Sequence, residues 1–417
     1  MTRYDALARR FGTPLYVYDL DRVTAARDDL FAALPESFDV FYALKANPHP
    51  EVAGALREAP GRACRAEISS TGELAAALAA GYAAADCLYT GPGKTEGELD
   101  EAIGSGVRTF SAESTTDLAR IGSVALRHGV VAECLLRVNS ASASARTSIR
   151  MTGTPSQFGF DSETLPEVLP ALRNTPGTRL AGAHFFPLSN AKDEAGLVAE
   201  FEHTIALAAR MRDEHGLPLD FLDIGGGFSV PYAVPGDRAV YHGLRSGLEA
   251  ALDRHLPEWR AGAPRIACES GRYLVGDSGT LLSSVVNIKE SRGRSFVVLD
   301  AGINTLGGMS GLGRLLPVAV EPEEDSPAAV TASLVGPLCT PGDVLGREIK
   351  LPSLAPGDTV AVPNTGAYGA TASLLTFLGR PAPAEAVVRG DEVVSVSRLR
   401  YERVHEADRP ERRETAP

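Results

Sequence analysis

Residues 38–47 read Phe-Asp-Val-Phe-Tyr-Ala-Leu-Lys-Ala-Asn. A short, nearly continuous apolar run closed by a charged residue reads as a strand covered on both faces. The first such run is Phe38–Lys45, and seven more follow: Ala63–Ser69, Cys87–Gly91, Arg108–Ala112, Glu133–Asn139, Leu180–Pro187, Phe221–Gly225 and Arg265–Glu269. Each has an ordinary strand length. Between them lie stretches with helical apolar spacing, such as Gly72–Ala80, Thr95–Gly104, Asp117–His128 and Leu197–His215. Strands alternating with amphipathic helices imply an α/β fold with a parallel sheet. Eight such units in about 250 residues match a (β/α)8 barrel.

The pattern changes after Arg272. Thr280–Lys289, Ser295–Asp300, Ala329–Val335, Thr359–Val362 and Glu392–Ser397 are β-branched or alternating, with Gly and Pro clusters between them. They predict a second, mostly β domain, sandwich-like or barrel-like. Pro14–Asp19 is an early strand that joins it. The expected organisation is an N-terminal strand segment (1–25), the barrel (26–275), the β domain (276–405) and a disordered polar tail (406–417).

Composition narrows the function classes. The chain has 417 residues and a net charge of −12, from 41 basic and 53 acidic side chains. No basic stripe of the kind nucleic-acid binders carry is found. No apolar stretch is long enough to span a membrane, and the start has no secretory apolar region. The five cysteines (64, 87, 134, 268 and 339) form no close pair and no zinc spacing, so no metal is expected and the cytoplasm is the expected compartment. Only five lysines occur, at 45, 94, 192, 289 and 350.

In a (β/α)8 barrel the active site lies at the C-terminal strand ends. Here those ends carry Lys45, Glu67–Ser70, Arg137 and Asn139, His184 and Phe186, Gly225-Gly226-Gly227, and Glu269-Ser270-Gly271-Arg272. A lysine ending an apolar strand is partly desolvated, which lowers its pKa and frees an amine for Schiff-base chemistry; a snorkelling lysine would occupy the same position. Glycines after a strand let backbone N–H groups approach a phosphate, and they also serve a tight turn. Glu269 ends a buried strand and needs a cationic partner, either a protonated pyridine nitrogen or an arginine. Cys339 follows a strand and enters the Pro/Gly loop 336–343, and Tyr368 lies in another loop. Each could equally be a packing residue.

Together these residues resemble the fold-type III pyridoxal-phosphate decarboxylases, which act on ornithine, diaminopimelate or arginine. The resemblance rests on Tyr42–Asn47, Glu67–Leu74, Gly91–Lys94, Phe158-Gly159, Gly225–Phe228, Glu269–Arg272, Gly336–Cys339 and Gly366–Gly369, in family order. It implies a barrel plus β domain, working as a head-to-tail homodimer with shared active sites. It implies that Lys45 holds pyridoxal 5'-phosphate as a Schiff base, that Glu67 belongs to the cofactor site, and that Glu269 pairs with the pyridine nitrogen. It implies a phosphate held by Gly225, Gly226, Gly227, Ser189, Gly271, Arg272 and Tyr368. Cys339 from the partner subunit would return a proton to Cα. The substrate-side candidates are Arg137, Arg272, Arg314, Thr340 and Asp343.

The departures bear on substrate. In His184-Phe185-Phe186-Pro187-Leu188-Ser189-Asn190, Phe186 takes the position of a histidine that stacks on the cofactor. Leu188 replaces a glycine, and Ser156-Gln157-Phe158-Gly159 replaces Ser-Lys-Phe-Gly. The substrate stretch Arg-Pro-x-x-Tyr is reduced to Arg314-Leu315-Leu316-Pro317-Val318. The residue after the cysteine, an acid in the enzymes of basic amino acids, is Thr340. A buried ammonium without a counter-charge is costly. The expected substrate is therefore an α-amino acid without a free distal ammonium, tethered to a carrier protein or acylated, in a natural-product or siderophore pathway. Diaminopimelate, ornithine or lysine decarboxylation is the alternative. A racemase on the same barrel and a cofactor-binding regulatory homologue without turnover are the remaining readings.

Overall fold

A computed structural model of the protein describes residues 2–58, 61–141, 149–150, 155–191, 193–307 and 330–404. The expected tail at 406–417 and Arg314 lie outside them.

β1 (Leu15–Asp19) is followed by the helix Leu20–Ala33 and then by the barrel. The barrel strands are β2 (Asp39–Ala43), β3 (Arg65–Ile68), β4 (Cys87–Tyr89), β5 (Thr109–Ala112) and β6 (Ala132–Asn139). After two short pieces, β7 (Ile149–Arg150) and β8 (Phe160–Asp161), it continues with β9 (Thr178–His184). Another short piece, β10 (Leu188–Ser189), precedes β11 (Phe221–Asp223) and β12 (Arg265–Ser270). The barrel order is β5-β4-β3-β2-β12-β11-β9-β6, and pairing of β5 with β6 closes it. Every barrel pairing is parallel. All eight apolar runs are barrel strands, because helices cover the outer face and side chains fill the inner one. Phe41 and Phe221 come from strands that are not neighbours, yet their rings lie 6.2 Å apart. They pack with Leu88, Leu135, Ala181 and Ala267 in a separate buried cluster that closes the barrel interior.

The second sheet contains β13 (Gly279–Ser291), β14 (Arg294–Leu299), β15 (Val330–Val335), β16 (Val344–Leu351), β17 (Thr359–Val362), β18 (Ala384–Arg389) and β19 (Glu392–Arg398). Its order is β16-β15-β14-β13-β1-β18-β19, with β17 also on β13. β1 sits between β13 and β18, so the chain begins in the β domain before it enters the barrel. The helix Arg3–Phe11, fixed by a Thr2/Asp5 capping box, packs its Leu7 and Ala8 against β1 and β18 residues. β16 and β18 were not foreseen in the sequence. Among the described residues no helix is long and apolar enough to cross a membrane.

Candidate active site

The C-terminal strand ends surround a small cavity. Lys45, Phe186, Glu269 and Tyr368 form part of its wall. Ser189, Gly226, Gly227, Gly271 and Arg272 complete a polar side. A larger groove, of about 660 Å³, lies on the β domain and contains none of these residues. The clustered chemistry, not the size, identifies the site.

Lys45 sits in a single 3-10 turn, Leu44–Ala46, directly after β2. Its Nζ donates to Glu67 Oε2 at 3.1 Å and Oε1 at 3.3 Å, and lies 5.4 Å from the centre of the Phe186 ring. Glu67 ends β3 and is buried; Oε1 also accepts from the hydroxyls of Thr90 and Ser69. Burial by itself lowers the Lys45 pKa, but Glu67 and then Glu269 outweigh it and hold the ammonium above its ordinary value. The expectation of a lowered pKa is corrected: it considered the strand end alone and omitted the carboxylate on the neighbouring strand. Glu67 meets the cavity through Lys45 and is not part of its wall.

Opposite Lys45 lies a buried polar cluster. A ring nitrogen of His184, a carboxylate oxygen of Asp223 and one of Glu269 lie within 4.8 Å of one another. His184 Nδ1 is 2.7 Å from Ser111 Oγ, and Arg137 Nη1 is 3.5 Å from Nε2. Burial, then the Arg137 charge, push the His184 pKa well below its ordinary value, so the ring is neutral. Burial raises the pKa of Asp223, and the Glu269 carboxylate raises it further. Burial also raises Glu269, against the opposing charges of Lys45 and Arg137. Of the two carboxyls, Asp223 is the one pushed more strongly toward its protonated form.

Glu269 Oε1 approaches His184 Nε2 to 2.9 Å, but off the line of a hydrogen bond, and it has no donor. A buried carboxylate oxygen in this state calls for one. A protonated pyridine nitrogen would be such a donor. The other end of the cavity suits a phosphate. Gly225 and Gly227 take φ of +75° and +131°, values that favour glycine. A Cβ on Gly226 would lie 2.5 Å from the Glu269 carbonyl oxygen, so no side chain can screen this backbone. Arg272 is buried, with its guanidinium 4.8 Å from the centre of the Tyr368 ring. Pyridoxal phosphate fits this set: a lysine, an acid awaiting an N–H, an aromatic wall and an anion cradle.

The structure thus gathers Lys45, Phe186, Ser189, Gly226, Gly227, Glu269, Gly271, Arg272 and Tyr368 around one space. Gly225 stands behind it in the same turn. Arg137 is a correction: it is buried, with its guanidinium 5.6 Å from the Phe186 ring and 5.7 Å from the Phe158 ring. It packs against Phe186 and His184 behind the cavity wall. Asp343 is a second correction. It is buried, and its carboxylate accepts from the backbone N–H groups of Ile303 at 2.8 Å and Leu338 at 2.7 Å. It fixes the 336–343 loop and is not a substrate contact. Cys339 is an exposed free thiol on that loop, outside the cavity wall. Thr340 is half-buried, and its Oγ1 accepts from Gly342 N at 3.3 Å. Asp223 and Ser111 were not singled out in the sequence, and His184 was noted only as a strand residue. An acid in an apolar strand, one residue ahead of three glycines, was the available signal for Asp223.

A barrel-end lysine, an acid backed by a buried polar cluster and a glycine cradle define an enzyme that holds a phosphorylated carbonyl cofactor. The chain belongs to the pyridoxal-dependent decarboxylases, whose pyridoxal binding domain matches residues 20–276. It is 32% identical over 396 residues to the L-glutamyl-[BtrI acyl-carrier protein] decarboxylase of Niallia circulans, covering 92% of this chain and 90% of that one. It is 32% identical over 393 residues to the diaminopimelate decarboxylase of Methanothermobacter thermautotrophicus, covering 93% and 89%. The solved diaminopimelate decarboxylase of Helicobacter pylori, complexed with L-lysine, is similar with a TM-score of 0.80 and 26% identity, over 94% of this chain and 95% of that one. The chain is therefore a pyridoxal-phosphate-dependent carboxy-lyase with the barrel and β domain of its relatives.

Proposed function

We propose that the protein decarboxylates an α-amino acid that has no free distal ammonium and is carried as a thioester on a carrier protein, within a biosynthetic pathway for a secondary metabolite. One observation carries this reading. Asp343 is the only acid in the loop 336–343, and both of its oxygens are occupied by backbone N–H groups. Thr340, beside Cys339, is uncharged. The loop therefore offers no carboxylate to a distal ammonium, whose burial without a counter-charge is costly. Similarity to the glutamyl carrier-protein decarboxylase supports the same reading.

The residues divide the work. Lys45 presents an amine with 40% of its side chain exposed, and Glu67 holds its proton. Glu269 would accept the pyridine N–H, with Asp223 and His184 beside that carboxylate. The amides of Gly226 and Gly227, with Ser189, Arg272 and Tyr368, would hold the phosphate. Phe186 would cover one ring face by stacking alone, because it can neither titrate nor hydrogen-bond. The bound cofactor supplies an electron sink for the pair released when the carboxylate leaves Cα. Cys339 of the partner subunit would then deliver a proton to Cα, which makes the working unit a homodimer with shared sites. Five free cysteines, four of them buried, support a reducing compartment, which we take to be the cytoplasm.

Carbon dioxide release from the cofactor-loaded protein tests this reading. The panel holds free diaminopimelate, ornithine, lysine and glutamate, and glutamyl thioesters on a carrier and on a short thiol. Release from the thioesters is expected. Preferential release from free diaminopimelate would establish the second reading, which similarity to diaminopimelate decarboxylases favours.

A further inference from the structure

We propose that Tyr232 is a positioning residue for the anion end of the cofactor site, where it holds Tyr368 and Arg272 in register with the glycine turn. The inference rests on the phosphate cradle proposed for this site and deepens it with a residue that the sequence did not single out. Tyr232 lies outside the cavity wall, on the loop that leaves Gly227 five residues earlier. Its hydroxyl donates to the Tyr368 carbonyl at 3.1 Å. Its ring centre lies 5.9 Å from the Arg272 guanidinium carbon, which in turn stands 4.8 Å from the centre of the Tyr368 ring. The guanidinium is therefore within cation–π reach of a ring on each of two loops.

Tyr368 needs such a hold. It takes a φ of +53°, a left-handed value that a bulky residue keeps only where its surroundings fix it. Its N–H donates to the Ala46 carbonyl at 2.7 Å, directly beside Lys45. Its own carbonyl accepts from Tyr232. Two main-chain bonds thus tie this residue to the lysine turn on one side and to the glycine loop on the other. The surrounding seam is anchored as well. Asn47 Nδ2 donates to the Gly366 carbonyl at 2.9 Å. Asn364 Nδ2 donates to the carbonyls of Val234 at 2.7 Å and Gly236 at 3.0 Å. Within this seam Tyr232 is the side chain that meets both Tyr368 and Arg272. A polar site grips its ligand well when supporting residues lock its direct contacts in place.

The test is cofactor capture by the apoprotein, titrated separately with pyridoxal phosphate and with pyridoxal, which lacks the phosphate, and followed by absorbance. Wild type is compared with Tyr232→Phe, which keeps the ring and removes the hydroxyl, and with Tyr232→Leu, which removes both. Arg272→Ala is the control for the cradle, and a thermal melt is recorded for each protein. Tyr232→Phe should weaken capture of pyridoxal phosphate roughly three- to tenfold and leave capture of pyridoxal unchanged. Tyr232→Leu should weaken pyridoxal phosphate by roughly a further two- to fivefold; if its melt shows that it does not fold, the phenylalanine variant alone decides. Unchanged capture of pyridoxal phosphate by Tyr232→Phe, with the phosphate preference lost in Arg272→Ala, would overturn the role of Tyr232 and leave the cradle intact. Equal weakening of both ligands by Tyr232→Phe would overturn it too, by assigning the residue to folding or to the lysine turn. A phosphate preference kept in Arg272→Ala would remove the cradle itself, and the role of Tyr232 with it.

Discussion

The barrel floor and the Cys339 loop are built in opposite ways. On the floor, Lys45, Glu67, Asp223, His184 and Glu269 come from five strand ends of one closed sheet, and all but Lys45 are fully buried. Their charges are set against one another across a few ångströms. On the loop, a buried Asp343 holds the backbone, while Cys339 is exposed at the surface. The difference teaches a division of labour. The half that takes up electrons must be dry and preorganised, and one chain completes it. The half that, in the proposed mechanism, would return the proton is presented outward, where a second subunit could use it.

If the halves are separable, substitutions in them fail in different ways. Lys45→Ala should lower kcat by at least about 10³-fold, and the absorbance of lysine-linked cofactor should vanish. Cys339→Ala should lower kcat by roughly 10²–10⁴-fold while that absorbance is kept. Loss of the absorbance in the cysteine variant would break the comparison. Asp343→Ala removes an ionised acceptor from two buried N–H groups and should cost about 2–4 kcal/mol of stability, read from the denaturant midpoint. Its cofactor absorbance should be preserved, because the loop and not the floor is disturbed.

Glu67→Gln sharpens the account of the floor. Glu67 and Glu269 hold Lys45 above its ordinary pKa, so the neutral amine needed to capture cofactor grows as pH rises. Removing the Glu67 charge should move the pH profile of cofactor capture by the apoprotein toward lower pH, followed by absorbance. The smallest effect concerns Glu73, which accepts from Ser69 N at 2.7 Å beside the helix start. Burial, then the Glu67 charge, push it up to about 7 from an ordinary 4.5. The folded state then binds this proton more tightly than the unfolded one. Its contribution to stability is complete below about 4.5 and is lost as pH rises through about 7. Glu73→Gln should flatten the thermal stability profile across that window.

Much of the barrel was legible because its strands are buried on both faces and carry unbroken apolar runs. β16 was not, because Val344–Leu351 contains Arg347, Glu348 and Lys350, and Glu348 takes a φ of +49°. β18 starts Ala-Glu-Ala, and only its pairing with Tyr18 OH accounts for the buried Glu385. Lys45, Glu269 and the glycines were legible because they end strands, where barrels place chemistry. Asp223 also ends a strand, but it was read only as strand. The packing of Arg137 and half of the bonding of Asp343 depend on partners distant in sequence. Phe186 and Ile303 lie about 40 or more residues from them, and no local pattern encodes such pairs.

The division between floor and loop is tested most directly by mixing the Lys45→Ala and Cys339→Ala proteins after subunit dissociation. Each alone should be nearly inactive. Shared sites predict that random reassociation restores about a quarter of wild-type activity, since half the dimers then carry one intact site. Activity that stays at the level of the separate variants would contradict the account and place both groups in the site of a single chain.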